Sequence, residues 1–119
     1  HKLVIDMKNI APARLPRFGT IAPTFDDYIV CGWGSISFPE LKGATSLQCV
    51  DLPVVNRNKC NYIYKENIHD NLLCLGQTNL LIPKHKRKDS CQGDSGGGAY
   101  HSKTGVCHAI VMAGINCAD

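Results

Sequence analysis

Residues 89–97 read Asp-Ser-Cys-Gln-Gly-Asp-Ser-Gly-Gly, and this stretch decides how the rest of the chain is interpreted. Glycines on both sides of Ser95 let the backbone take conformations that a Cβ atom would forbid. Such a turn leaves the Ser95 hydroxyl exposed and lets neighbouring N–H groups point at one spot, as acyl transfer requires. We therefore predict that Ser95 is a nucleophile and that the N–H groups of Gly93 and Ser95 form an oxyanion hole.

The same letters fit two other patterns. Gly-x-Ser-x-Gly is also the nucleophile elbow of α/β-hydrolases, which needs an apolar strand before it and a helix after it. Here residues 84–88 read Lys-His-Lys-Arg-Lys and three glycines follow the serine, so neither flank fits. A glycine-rich surface turn is the other alternative. The nine-residue string is far more specific than either pattern, and it resembles the nucleophile segment of the trypsin-like serine proteases, the chymotrypsin-fold family.

Composition limits the class of protein. The chain has 119 residues, of which 44% are hydrophobic and 19% charged, and this suits one folded domain. A net charge of +3 is too small to indicate nucleic acid, and no apolar run approaches the roughly 18 residues of a membrane span. Seven cysteines predict an oxidising, extracellular location. The sequence contains no Cys-x-x-Cys pair, so we do not expect a structural zinc site. No secretory signal is present, so we expect the mature piece of a secreted protein, or a fragment of one.

The resemblance implies an all-β fold with one short helix. Residues 1–25 contain three prolines and match the extended linker that joins the two barrels of the family. Residues 26–119 match an incomplete second six-stranded antiparallel β-barrel. Asn56 can cap the helix, which is expected over about residues 57–64. The five expected strands cover residues 29–33, 48–55, 72–75, 98–101 and 106–112.

The resemblance also assigns a substrate pocket. Asp89 matches an acid at the base of the family's specificity pocket, where it selects Lys or Arg beside the cut bond. A buried carboxylate needs such a cationic partner, because an unpaired buried charge is unfavourable; a solvated loop aspartate is the alternative. Gly114 matches a glycine that leaves the pocket mouth open. Asp94 matches the acid that pairs with a freshly cut N-terminal ammonium in the activated enzymes.

The cysteines divide into those with and those without a family counterpart. The resemblance implies two disulfides, Cys60–Cys74 and Cys91–Cys117. The first closes a loop whose bridge would contribute about 3 kcal/mol. Cys49 matches a cysteine whose partner lies in the family's first barrel. Cys31 and Cys107 have no counterpart, and we expect them either to bridge each other or to stay free.

Several residues depart from the family pattern. Tyr28 and His101 both fall where the family has a pair of bridged cysteines, so no orphan thiol is left. Met112 and Ala113 take the places of a Ser and a Trp that contact the substrate. Gly98 stands where the family usually has Pro.

A basic run, Lys84, His85, Lys86, Arg87 and Lys88, ends the long loop before the serine segment. A solvated loop is one interpretation of this run. A site for a polyanion or an acidic substrate at Lys84, Lys86, Arg87 and Lys88 is another, and an exposed cleavage site is the third.

The resemblance implies a serine endopeptidase that cleaves polypeptides after Lys or Arg, without a cofactor or a metal ion. None of the five histidines lies in the family's Ala-Ala-His-Cys setting, so this chain would carry the nucleophile and the pocket but not the catalytic histidine. A serine hydroxyl is a weak nucleophile without an adjacent base, and we expect the 119 residues alone to be inactive. The alternative is a catalytically inactive homologue that acts as a binding protein.

Overall fold

The computed structural model describes residues 4–37, 40–79, 81–83, 86–114 and 117, and it is mostly β with one short helix. The elements are β1 (Asp27–Gly32), β2 (Gln48–Pro53), α1 (Arg57–Tyr64), β3 (Gly98–His101) and β4 (Cys107–Ile110). The four strands form one antiparallel sheet in the order β2-β1-β3-β4. The all-β class predicted from the sequence is confirmed, and the sheet is consistent with part of a barrel.

One face of the sheet forms the core. Successive side chains of a strand point to opposite faces, so the buried positions alternate along β1 and meet buried partners on its neighbours. Tyr28 is paired with Leu52 on β2, and Val30 is paired with Ala99 on β3. All four of these side chains are buried, with Tyr28 and Leu52 at 0% and 1% exposure.

The predicted strand over residues 72–75 is wrong. This segment makes one isolated bridge, between Val54 and Leu75, and the bridge consists of two backbone hydrogen bonds. The Val55 N–H donates to the Cys74 carbonyl at 2.8 Å, and the Gly76 N–H donates to the Pro53 carbonyl at 3.0 Å. Because β2 ends at Pro53, which has no N–H to donate, no ladder extends alongside the segment.

The other strand predictions differ from the structure only at their ends. The predicted 98–101 strand agrees with β3, and β1 begins two residues earlier than predicted. The strand predicted over residues 106–112 is shorter and covers Cys107–Ile110 as β4.

Helix α1 lies where the sequence places it, over Arg57–Tyr64. The Asn56 side chain accepts a hydrogen bond from the N–H of Asn58 at 2.9 Å, which satisfies one of the unpaired donors at the helix start. The helix ends at Tyr64, and the capping residue Lys65 has a left-handed φ of 56°. Within the ranges given above, no helix has the length and apolar character needed to cross a membrane.

Three disulfides are present: Cys31–Cys49, Cys60–Cys74 and Cys91–Cys117. The expectation that Cys31 bridges Cys107 or stays free is wrong, because Cys31 is bonded to Cys49. These two residues are direct cross-strand partners in the β1–β2 ladder, which brings their side chains within bonding distance. Cys107 remains a free thiol.

The N-terminal segment, residues 4–25, has no helix or strand but is attached to the sheet. The Cys107 N–H donates to the Arg14 carbonyl at 2.8 Å, and the Arg14 guanidinium donates to the Thr104 carbonyl. The buried Tyr28 hydroxyl donates to the Pro23 carbonyl at 3.0 Å. The segment therefore packs along the β3–β4 hairpin, while the division into a linker over 1–25 and a barrel over 26–119 stays a prediction.

Candidate active site

Ser95 lies at the tip of two consecutive backbone turns. The Asp94 N–H donates to the Cys91 carbonyl, and the Gly97 N–H donates to the Asp94 carbonyl, both at 3.0 Å. Gly93 and Gly96 have φ values of 100° and 87°, a region that residues with a Cβ rarely adopt. The tight turn therefore depends on the glycines that flank Ser95, and it leaves the serine exposed.

Backbone pairing places this turn at the end of the β3–β4 hairpin. The Gly96 N–H donates to the Val111 carbonyl, and the Val111 N–H donates to the Gly97 carbonyl, both at 2.8 Å. These bonds continue the β3–β4 ladder past its last paired residues, Gly98 and Ile110. The chain beyond Val111 consequently leaves the sheet next to Ser95.

The Asp94 carboxylate connects the serine turn to the end of β1. Its Oδ1 accepts from the Gly34 N–H and its Oδ2 from the Cys91 N–H, both at 2.9 Å. A third bond, from the Ser35 N–H to the Gln92 carbonyl at 2.8 Å, joins the same two segments. The half-buried acid is thus held by backbone donors on both sides.

Two glycines make room for this carboxylate, which sequence reasoning did not predict. A Cβ at Gly34 would lie 2.5 Å from Asp94 Oδ1, and a Cβ at Gly32 would overlap the same oxygen. The repeated glycines of the Gly-Trp-Gly motif at 32–34 were the available signal. The sequence shows that both positions lack a side chain, but only the fold shows that the Asp94 carboxylate occupies the space beside them.

The predicted oxyanion donors are unoccupied by protein acceptors. Across the ranges that the structure describes, no carbonyl or side chain accepts a hydrogen bond from the N–H of Gly93 or of Ser95. Gly93 packs closely against Gly34, since a Cβ built on Gly93 would lie 3.1 Å from the Gly34 Cα. Both N–H groups are therefore available to a ligand.

Asp89 and Asp94 line one cleft of about 400 Å³, together with the Cys91–Cys117 bridge and part of β2. Asp89 is half-buried, and its Oδ1 accepts from the Ser90 N–H at 2.8 Å. Its charge reaches Tyr64 on α1: burial raises the pKa of Tyr64, and the negative charges of Asp89 and then Glu66 raise it further. Asp89 therefore sits where it can act on a group inside the fold as well as on a ligand.

The remaining predicted residues lie apart from this cleft. Neither Ser95, Gly93 nor Gly114 is among the residues that line it. Gly114 is exposed, and a Cβ built there would meet no atom within 4 Å. The structure therefore places Asp89 with Asp94 in this cleft, while Gly93, Ser95 and Gly114 are exposed.

The histidines within the described ranges are engaged elsewhere or are exposed. His101 is bonded to Asp26 and Thr104, and His108 packs edge-on against the Tyr28 ring. His69 is exposed, and none of the three is a hydrogen-bond partner of Ser95. In the same part of the chain, no three His, Cys, Asp or Glu side chains are placed to hold a metal ion.

Comparison with known proteins decides the family. The model of the family described as Trypsin matches residues 5–119.

The chain belongs to the trypsin family.

Two trypsin-family relatives are trypsin Tyr p 3.0101 of Tyrophagus putrescentiae and trypsin Blo t 3 of Blomia tropicalis. They are 35% and 33% identical over 97% and 99% of this chain, and the chain spans only 38% and 43% of their lengths. A solved structure of mouse neuropsin, titled a serine protease expressed in the limbic system of the brain, covers 92% of this chain with a TM-score of 0.77 and 26% identity. The chain corresponds to 45% of that structure.

Where this trypsin-family chain lacks a pair of bridged cysteines, two rings take their place. Tyr28 and His101 are cross-strand partners on β1 and β3, with ring centroids 5.5 Å apart and nearly perpendicular planes. His101 Nε2 lies 3.0 Å from Asp26 Oδ2, and Lys103 also binds Asp26. The hydrogen bond from Lys103, and then that with His101, lowers the pKa of Asp26. A noncovalent network therefore joins these strands.

The two substitutions beside Ser95 are exposed in this member of the trypsin family. Met112 is 66% exposed, and Ala113 follows it on the surface. The glycine at position 98 is explained by its neighbour, because a Cβ there would lie 2.6 Å from the ring of Tyr100. The ring of Tyr100 thus packs over the position where the family usually has Pro.

Proposed function

We propose that this chain supplies the nucleophile and the specificity pocket of a serine endopeptidase that cleaves after Lys or Arg. The observation that carries the proposal is the serine turn, in which an exposed Ser95 stands between glycines with positive φ. The free N–H groups of Gly93 and Ser95 support it, because the oxygen that becomes negative in acyl transfer needs preorganised donors.

Asp94 has the role of holding these donors in place. Its carboxylate binds the N–H groups of Gly34 and Cys91, which fixes the backbone immediately before Gly93. In the family, the matching acid also receives the ammonium of a freshly cut N-terminus. The cleft of about 400 Å³ beside Asp94 gives such a terminus a route to the carboxylate.

Asp89 has the role of selecting the residue before the cut bond. Its negative charge lies in the lining of the cleft and would attract the cation of a Lys or Arg side chain. Lys and Arg side chains are long enough to bring a cation to such a base. Gly114 has the matching role of leaving the entrance free, in agreement with the open space around its Cα.

The general base lies outside the residues that this structure describes. His101 and His108 are committed to the core network around Tyr28, away from Ser95. We propose that the catalytic histidine and its acid belong to the family's first barrel; the small share of its relatives that this chain spans, 38% and 43%, leaves room for one. The full enzyme acts on polypeptides, and its three disulfides favour secretion.

The 119-residue chain alone should not hydrolyse a Lys or Arg ester faster than its Ser95→Ala variant. Without a base, the serine hydroxyl is a weak nucleophile, and loss of one triad member costs several orders of magnitude in rate. Labelling with a fluorophosphonate at neutral pH measures the same property directly. Stoichiometric labelling of Ser95 in the isolated chain would contradict this assignment.

A chimera tests the proposed function itself. The matched portion of the Tyrophagus trypsin would be replaced by this chain, so that the relative supplies the part that this chain does not span. We expect hydrolysis of Lys and Arg esters that Ser95→Ala lowers by at least about a thousandfold. Asp89→Ser should remove the preference for these esters over a Phe ester, while an exposed-site control, Lys8→Gln, should change neither.

A catalytically inactive binding protein is the second candidate. Met112 and Ala113 favour it, because both are exposed beside Ser95 and differ from the family residues that contact the substrate. In that case the folded chimera would bind a peptide ligand but would not be labelled at Ser95. Labelling of the chimera together with Ser95-dependent turnover would exclude this candidate.

A further inference from the structure

A cationic edge lies around the segment 77–79, and one of its residues, Lys88, also lines the cleft beside Asp89. Lys59, Lys86 and Lys88 are exposed, and we call these three residues the basic edge. Lys59 Nζ donates to the Thr78 carbonyl at 3.2 Å, and the Lys88 N–H donates to Gln77 Oε1 at 3.0 Å. Because the two acceptors are on adjacent residues, Lys59 and Lys88 flank one short segment.

The backbone around Lys86 and Lys88 is held in a turn. The Lys86 N–H donates to the Pro83 carbonyl at 2.8 Å, and the half-buried Arg87 donates through Nε to the Ile82 carbonyl at 3.0 Å. Arg87 therefore serves the local structure, while the lysines on either side of it reach solvent. Lys84, which the sequence groups with them, lies outside the described residues.

The basic edge has no acidic partner within the ranges that the structure describes. The ion pairs there are Arg57–Asp70, His101–Asp26 and Lys103–Asp26. None of these involves Lys59, Lys86 or Lys88, so no described carboxylate holds the ammonium groups of the edge in an ion pair.

The shape of the surface favours an extended anion over a compact one. Lys88 also lines a hollow of about 530 Å³, but Asp27 and Asp51 line the same hollow. Two carboxylates repel a phosphate or sulfate ion that would enter it, so an anion is restricted to the outer rim. Spaced cations along a rim suit a linear polymer with repeated charges, because each lysine can meet a different anionic group.

We propose that the basic edge binds a sulfated polysaccharide. The three disulfides indicate an oxidising compartment, where flexible linear polyanions of this chemistry are found. The net charge of +3 is too small for general attraction to nucleic acid, so the local edge must supply the affinity. This inference does not require the proposed protease function, because neither Ser95 nor Asp89 is among the residues that would bind the polymer.

Retention of the 119-residue chain on immobilised heparin, eluted with a sodium chloride gradient, tests the proposal. The double variant Lys86→Gln/Lys88→Gln should elute at lower salt, with the slope of log affinity against log salt reduced by about two, since each cation lost releases about one counterion fewer. The matched control, Lys8→Gln/Lys42→Gln, removes the same charge from exposed sites elsewhere and should change the slope by less than one. Asp51→Asn should elute later than the parent, because it removes one repelling carboxylate.

Protection from trypsin is the second measurement, and it does not depend on variants that fold. A heparin oligosaccharide should slow cleavage after Lys86 and Lys88 at least several-fold, and leave cleavage after the exposed Lys65 unchanged. Equal losses of affinity in the edge and control variants would overturn the proposal, as would equal protection of Lys65. Stronger retention by single-stranded DNA or polyglutamate than by heparin would overturn the assignment to a sulfated polysaccharide.

Discussion

At the scale of single residues, Gly32 and Gly34 matter for the side chains that they lack. Both positions lie against the Asp94 carboxylate, and Gly34 also donates its N–H to it. The serine turn is therefore supported from the end of β1 and the residues just after it, about 60 residues away in sequence. A substitution at either glycine would act on the candidate site without touching Ser95.

Gly34→Ala should lower the free energy of unfolding by about 1–3 kcal/mol, because its Cβ would lie 2.5 Å from Asp94 Oδ1 and displace the carboxylate. Gly114→Ala is the matched control, since its Cβ would meet nothing within 4 Å. Urea denaturation followed by tryptophan fluorescence measures both variants. Equal midpoints for the two variants would show that Asp94 moves aside freely.

His108 predicts how stability depends on pH. Burial, and then the charge of His101, lowers the pKa of His108 below its usual value of 6.5. The unfolded chain then binds more protons than the folded chain as the pH falls below about 6.5, so stability decreases in that range. Asp26, whose pKa is also lowered, contributes only at more acid pH.

His108→Gln should flatten the loss of stability between pH 7 and pH 5, while the exposed His69→Gln should leave it unchanged. Thermal unfolding at a series of pH values gives the comparison. If both variants keep the full pH dependence of the parent chain, another group is responsible.

At the scale of elements, the four strands of the sheet were predictable from the sequence. The isolated bridge between Val54 and Leu75 was not. The segment 72–75 has the apolar residues typical of a strand, but β2 ends at Pro53, before a ladder can form beside the segment. The Cys31–Cys49 bond was hidden for a similar reason, because it depends on the register of β1 against β2. Composition does not determine a register.

The candidate site likewise has features that the sequence predicted and features that only the fold reveals. The glycines and the serine of residues 89–97 predicted the turn from local backbone chemistry alone. The contact between Gly34 and Asp94, and the cleft that Asp89 and Asp94 line, depend on how distant parts of the chain pack. The local amino-acid sequence does not determine such packing.

The Cys60–Cys74 bridge should stabilise α1 and the loop that follows it. The two cysteines are 14 residues apart, and closing a loop of this size contributes about 3 kcal/mol. The double variant Cys60→Ala/Cys74→Ala should lose about that much stability in urea. Cys107→Ser, which removes the free thiol, should lose less than 1 kcal/mol. A loss of the same size in both would contradict the assignment of the bridge.

At the scale of the whole molecule, the sheet has two outer strands. β2 and β4 lie at its edges, and within the described ranges neither is joined by a further strand. Unpaired strand edges invite pairing with another chain. Large apolar side chains of the N-terminal segment are exposed as well, with Phe18 and Phe25 fully accessible to solvent.

We therefore expect the 119-residue chain, produced alone, to self-associate. Size-exclusion chromatography with light scattering should show dimers or larger species at micromolar concentration. Phe18→Ser/Phe25→Ser should raise the monomer fraction by reducing the exposed apolar area. A parent chain that is monomeric and unfolds in one cooperative transition would contradict this expectation.

The pairing of Tyr28 with His101 gives neighbouring strand pairs different vulnerabilities. β1 is joined to β2 by the covalent Cys31–Cys49 bond, and to β3 by the contact of two rings with Asp26 behind them. A thiol reductant attacks the first junction and has no chemistry with the second. Mild acid leaves sulfur bonds intact but charges the imidazole of His108, whose ring packs edge-on against Tyr28. β1 is therefore joined on one side by a bond that reduction breaks and on the other by ring contacts that protonation weakens. A reducing medium and an acidic medium would each loosen a different side of this strand.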